Sequence, residues 1–87
     1  MKIKKRDLRI EEFSIDKIQT SISHAARDIN YQITHADTKA ISKKVFNTLT
    51  ELGREESHTS SYEVKCIVLE TLTDFNFNKI AKAFTNN

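Results

Sequence analysis

Apolar residues recur at steps of three and four along most of this chain and alternate with polar ones only at its start. Residues 2–6 and 9–13 are short, weakly patterned runs that predict two strands. Asp7-Leu8 lies between them, so the pattern predicts a hairpin spanning residues 2–13. A two-residue hairpin loop places both central residues at positive φ, which favours Asn-Gly or Asp-Gly. Leu8 carries a steric cost there, so a different turn type is expected.

From Ser14 onward the period becomes helical. Ser14 is a good N-cap and Asp16 complements the dipole of the first turn. Ile15, Ile18, Ile22, Ala25 or Ala26, and Ile29 form one stripe and predict a helix over residues 15–29. A second helix over 37–52, capped by Asp37 or Thr34, carries Ile41, Val45, Thr48 or Leu49, and Leu52. Gly53 follows as a natural residue just past the helix end. Residues 54–59 are polar and without period, a loop or a short extra strand. Ser60-Ser61-Tyr62-Glu63 fits a capping box. It opens a third helix over 61–74 with Val64, Ile67, Val68, Leu72 and Phe75 as its stripe. A break at residues 74–76 precedes a fourth helix over 77–84, with Phe77, Ile80, Ala81 and Phe84. Four such stripes can bury one another, so the expected class is α+β, mostly α: a small four-helix bundle with the hairpin covering one end.

Composition narrows the picture. Eighty-seven residues suit one domain, 1–87. The single cysteine, Cys66, excludes an internal disulfide and fits a reducing compartment. A buried or half-buried thiol is expected for it. No apolar run approaches the roughly 20 residues of a membrane span, and the basic start lacks the apolar stretch of a signal peptide. The expected location is the cytoplasm. With no proline and one glycine, the chain must end its helices with other side chains. The net charge is only +2, yet five of the fourteen Lys and Arg lie within the first nine residues, opposed there by Asp7 alone. That clustering points to an anionic partner near the N-terminus.

The first eighteen residues hold the candidate chemistry. Cations, an acidic acceptor and bulky apolar groups follow closely: Lys5, Arg6, Glu11, Phe13, Lys17 and Ile18. A nucleoside triphosphate needs those parts, as cations for phosphate, an acceptor for a base amine and a wall for the purine. Taken singly, Lys5 and Arg6 read more readily as a solvated basic edge strand. They are adjacent on a strand and so point to opposite faces, although near a strand end both can swing toward one anion. Lys17 lies one turn into the first helix, where a phosphate would also meet the dipole, but alone it reads as an ordinary exposed lysine. Glu11 serves equally as a base acceptor or as a cross-strand partner for Lys4 or Arg6. Phe13 and Ile18 suit the core, with a face left for a purine. Ser61 and Lys65 share a face of the third helix at i and i+4. His24 reads as a residue on a helix face, and His35 and His58 as solvated loop residues. None has metal-ligand spacing to Cys66 or to another histidine. There is no glycine-rich phosphate loop, so phosphate binding would use side chains and helix ends, without efficient hydrolysis.

Together these residues resemble an ATP-cone, the nucleotide-sensing module at the N-terminus of many ribonucleotide reductases, with a related copy in the bacterial repressor of reductase genes. The opening Ile3-Lys4-Lys5-Arg6-Asp7-Leu8 and Glu11-Glu12-Phe13-Ser14-Ile15-Asp16-Lys17-Ile18 follows the family's spacing. Ile22 to Ala26, Ser60 to Val64 and Ala81-Lys82-Ala83-Phe84 are similar to its later segments. The resemblance implies helices capped by a mixed sheet of about three strands, the last from residues 56–60. It implies that Lys5 and Arg6 contact the triphosphate, that Glu11 and Ser14 read the adenine edge, and that Ile3, Phe13 and Ile18 enclose the base. Lys17, Ser61 and Lys65 would reach phosphate or sugar. The implied effector is ATP or dATP, with or without Mg. The implied partner is a ribonucleotide reductase catalytic domain or a second copy of the chain. Three positions depart from the family. Leu8 replaces a glycine, Lys65 stands where relatives have a sugar-contacting histidine, and the chain stops before a terminal basic residue that many relatives supply. Two other functions stay open at this stage. One is a cone that has lost its ligand and serves as a protein-interaction domain. The other is a small helical nucleic-acid binder, which the mild charge and the acids at 11 and 12 disfavour.

Overall fold

The computed structural model describes residues 1–85. Three short strands and four helices follow in the order β1 (Lys2–Lys4), β2 (Ile10–Glu12), α1 (Ile15–Asp28), α2 (His35–Glu51), β3 (His58–Ser60), α3 (Ser61–Asp74) and α4 (Asn78–Thr85). The class is α+β, mostly helical, with a mixed three-stranded sheet ordered β2-β1-β3. β1 pairs antiparallel with β2, setting Ile3 opposite Glu11, and parallel with β3, setting Ile3 opposite Thr59. The central strand is therefore contributed by the start of the chain. Its alternation is clear: Ile3 is buried, and Lys2 and Lys4 flank it in solvent. Lys2 pairs with Glu12 across the strands at 2.8 Å, and its ammonium holds the Glu12 carboxyl below its usual range.

The hairpin turn is not the two-residue loop that Asp7-Leu8 suggests. Leu8 N–H donates to Lys5 C=O at 3.0 Å and Lys5 N–H to Arg9 C=O at 2.8 Å. These bonds close a three-residue loop of a type I turn followed by one left-handed residue, the bulged form of a short hairpin. Leu8 is that residue, at φ 73°. Asp7 fixes the turn by accepting from Arg9 N–H at 3.2 Å and Arg9 Nε at 2.7 Å.

Each of the first three helices starts on a hydroxyl cap. Ser14, Thr34 and Ser60 accept from the backbone N–H of Lys17, Asp37 and Glu63. Thr34, not Asp37, caps α2, so that helix begins two residues earlier than the expected 37. His35 is accordingly its first residue and His58 the first of β3, neither in a loop. The same helices end alike. Asn30, Gly53 and Asn76 take positive φ. The next residue's N–H then reaches back to Ala26, Leu49 and Leu72 C=O, at 2.8, 3.1 and 2.8 Å. This is the Schellman closure, and asparagine supplies the left-handed conformation where glycine is missing.

α1 packs against α2 and α4, and α3 against the same two. One core joins Ile22, Ala25, Ile41, Val45, Leu49, Val64, Val68, Leu72 and Ile80 with Ile3 from the sheet. Ile15, in the first turn of α1, is half-buried and does not join it, and three further expected stripe residues lie outside it. Ile29, Leu52 and Phe75 are 39 %, 49 % and 39 % exposed. Each is the C-cap of its helix and has left helical geometry, so the period no longer places its side chain. Buried hydroxyls are satisfied locally: Ser42 donates to Thr38 C=O and Thr71 to Ile67 C=O, each at 2.8 Å.

Candidate functional site

The register row Glu11–Ile3–Thr59 lies on the side of the sheet that holds buried Ile3, and a hollow of about 540 Å³ opens there. That volume falls within the range of small-molecule sites. β1 contributes Ile3, and Lys5 follows just beyond its end. β2 contributes Glu11 and leads into Phe13. Ser14 caps α1, whose facing side adds Lys17 and Ile18. Ser61, Val64 and Lys65 come from the first turn of α3, and Phe84 from α4. Every residue that the sequence singles out lines this hollow except Arg6.

Arg6 is the first residue of the hairpin turn, beyond the end of β1, and does not enter the hollow. It is exposed and lines a shallow outer depression with Lys5, Asp7, Arg9 and Ser61. The two hollows share Lys5 and Ser61, so they meet across that pair. The Ser61 hydroxyl donates to Lys4 C=O at 3.3 Å and ties the start of α3 to the central strand.

Glu11 is the electrostatic centre. Its partners are not Lys4 or Arg6. Lys5 Nζ lies 3.7 Å away, Arg9 Nη1 3.7 Å and Lys17 Nζ 3.6 Å. Three cations thus converge on one half-buried carboxylate. None is at hydrogen-bonding distance, so the carboxylate keeps its acceptor capacity and the cations can turn toward a second anion. Phe13 and Ile18 pack on the core and also line the hollow. Phe13 is braced by Phe46, with ring centroids 5.9 Å apart.

The chain belongs to the ATP-cone family. Its sequence matches the description "ATP cone domain" over residues 1–86, essentially the whole chain. A comparison with curated proteins gives no match. ATP-cones are nucleotide-binding regulatory domains without catalytic function, and the hollow beneath the sheet is where this ATP-cone gathers its charged and apolar groups.

Sequence reasoning missed part of the site. Arg9 is the third cation around Glu11, and only the bulged turn, invisible in the pattern, brings it back. Ser21, His24 and Asp28 also line the hollow. They extend the Lys17 face of α1 by steps of four, three and four, a signal that helical spacing would have revealed. Cys66 is exposed, not buried as expected, because it lies on the solvent side of α3 between buried Val64 and Ile67. Among the described residues no cluster of His, Cys, Asp or Glu could hold a metal ion. No helix among them is long and apolar enough to cross a membrane.

The floor of this ATP-cone's hollow is fixed from behind. Glu63 accepts from Arg54 Nε at 2.8 Å and Nη2 at 2.9 Å, and from the Thr59 hydroxyl at 2.7 Å. The Glu63 carboxylate is therefore not the second half of a capping box. The Arg54 guanidinium and the Thr59 hydroxyl hold its pKa down to about 2, and Arg54 is raised in return. This clasp joins the segment before β3, β3 itself and the first turn of α3.

Proposed function

We propose that this ATP-cone binds ATP or dATP in the hollow beneath its sheet and passes the occupancy to a partner without turning the nucleotide over. The convergence of Lys5, Arg9 and Lys17 on Glu11, beside the apolar wall of Ile3, Phe13 and Ile18, carries the reading. The base would lie against that wall, with Glu11 and Ser14 accepting from or donating to the adenine edge. The triphosphate would draw Lys5 and Lys17 off Glu11 and run toward Arg6 across the saddle of Lys5 and Ser61. Lys65 would stand by the sugar. Its ammonium donates but cannot accept, so it distinguishes ribose from deoxyribose differently from an imidazole. A Mg ion, where present, would travel with the phosphates.

Regulation then takes the form of a population shift. Anchoring phosphate at Ser61 competes with its bond to Lys4 C=O and so alters how α3 meets the sheet. The regulated partner would be a ribonucleotide reductase catalytic domain or a second copy of the chain, in the cytoplasm. Isothermal titration with ATP, dATP and GTP tests the binding step. We expect heat with the adenine nucleotides and its loss in Lys5→Ala with Arg6→Ala. No heat with ATP or dATP at about millimolar ligand, a free energy near −4 kcal/mol, would overturn the reading.

A further inference from the structure

The far end of the molecule carries a second feature that the nucleotide site leaves unused. α1 runs away from the sheet and α2 returns to it over 17 residues, about 25 Å at the helical rise. The C-terminus of α1 and the start of α4 therefore lie at one end, and the C-terminus of α2 at the other. At the far end a hollow of about 470 Å³ is lined by Ile29, Tyr31, Lys79, Lys82 and their neighbours. Its base is apolar: Ile29 is 39 % and Tyr31 36 % exposed. Tyr31 is held upright by an edge-on contact with Phe77 at 6.1 Å. Its rim is basic. Neither Lys79 nor Lys82 has an acidic partner among the described residues, and Arg27 lines the adjoining hollow that shares Asn30 and Tyr31.

At the sheet end, Leu52 is 49 % exposed at the α2 C-cap. Glu51, Glu55 and Glu56 surround it in sequence, are exposed, and make no ion pair among the described residues. Arg54, the cation in this stretch, turns inward to Glu63. The two ends are thus opposites: an apolar knob among free carboxylates, and an apolar hollow between free ammonium groups.

We infer that the occupant of the basic hollow is the Leu52 knob of a second copy of this chain. Leu52 would seat on Ile29 and Tyr31, with Glu51, Glu55 and Glu56 facing Lys79, Lys82 and Arg27. The contact joins unlike surfaces and is head-to-tail, so a dimer keeps one free knob and one free hollow, and association continues past the dimer. The patch is small, so binding is weak and concentration-dependent. Its charges are solvent-exposed, so it weakens with salt. It names a surface for self-association and needs no nucleotide.

Sedimentation equilibrium of the whole chain tests this. At low salt the weight-average mass rises above the 10.1 kDa monomer with concentration, and it returns toward monomer at about 0.5 M salt, where the Debye length is only a few ångströms. Lys79→Glu with Lys82→Glu stays monomeric, as does Glu51→Lys with Glu55→Lys and Glu56→Lys. An equimolar mixture of the two recovers association past the dimer, because the basic knob of the second fits the acidic hollow of the first and the native acidic knob of the first fits the native basic hollow of the second. Leu52→Ser, at an exposed position that folding does not need, lowers association in the wild-type background. Wild type that stays at monomer mass at its highest soluble concentration, or a mixture that stays at monomer mass, overturns the proposal. The thermal shift with ATP separates this from the nucleotide reading, since it persists in the charge-reversed variants whichever way the sedimentation falls.

Discussion

Leu8 is held in left-handed backbone at φ 73° with 72 % of its side chain in solvent. An L-residue pays about 1–2 kcal/mol for that geometry, and Leu8 recovers little by burial. Leu8→Gly is therefore expected to raise unfolding stability by about 1 kcal/mol, read as a higher urea midpoint at unchanged slope. The sequence shows that position 8 is unusual, but the identity of the turn needed the backbone bonds of Lys5. The same turn decides which cations meet Glu11: periodicity selects Lys5 and Lys17, and it cannot see Arg9. Cys66 gives a second check at this scale. Its thiol is open on α3, so a thiol-reactive probe should label it fully in folded protein at the rate of a small free thiol. Labelling that waits for denaturant would contradict the structure.

The helices are the most legible elements, because their stripes and hydroxyl caps are written locally. Their last turns are less so. Periodicity extends through Ile29, Leu52 and Phe75, whereas the Schellman closure at Asn30, Gly53 and Asn76 has already turned the chain. β3 is the least legible element. Three polar residues have no period, and His58–Ser60 is a strand only because Lys2–Lys4 lies beside it. The Glu63 clasp holds that strand to α3 and gives a pH signature. The Glu63 carboxyl sits at about 2 when folded against an ordinary 4.5. Its contribution is therefore present above about pH 4.5 and lost as the pH falls toward 2. Glu63→Gln should cost about 1–2 kcal/mol at neutral pH, as expected for a charge-assisted hydrogen-bond set at a partly exposed site. It should also flatten the acid limb of the stability–pH curve between those values. Wild-type and variant curves that stay parallel there would show that the clasp does not couple to folding.

At the scale of the whole molecule, a ligand that binds the folded chain stabilises it by mass action. ATP at about a hundred times its dissociation constant should add about 2.7 kcal/mol, a rise in melting temperature of roughly 10–20 °C for a chain this small. Lys17→Ala should remove most of that rise while leaving the ligand-free melting temperature within about 1–2 °C, since its ion pair to Glu11 is exposed and long. The parallel pairing of β1 with β3 carries one more consequence, for the order of assembly. Lys2 meets His58 only after both α1 and α2 have been threaded between them. Closing so long a loop is slow and entropically costly, so the ribbon docks after the helices have collapsed. A kinetic intermediate of helices alone would have no roof over Ile18 and no Glu11 beside Lys17. Nucleotide would then leave the early refolding rate untouched and slow only the unfolding step, which makes ATP a reporter of the final closure of the chain on its own beginning.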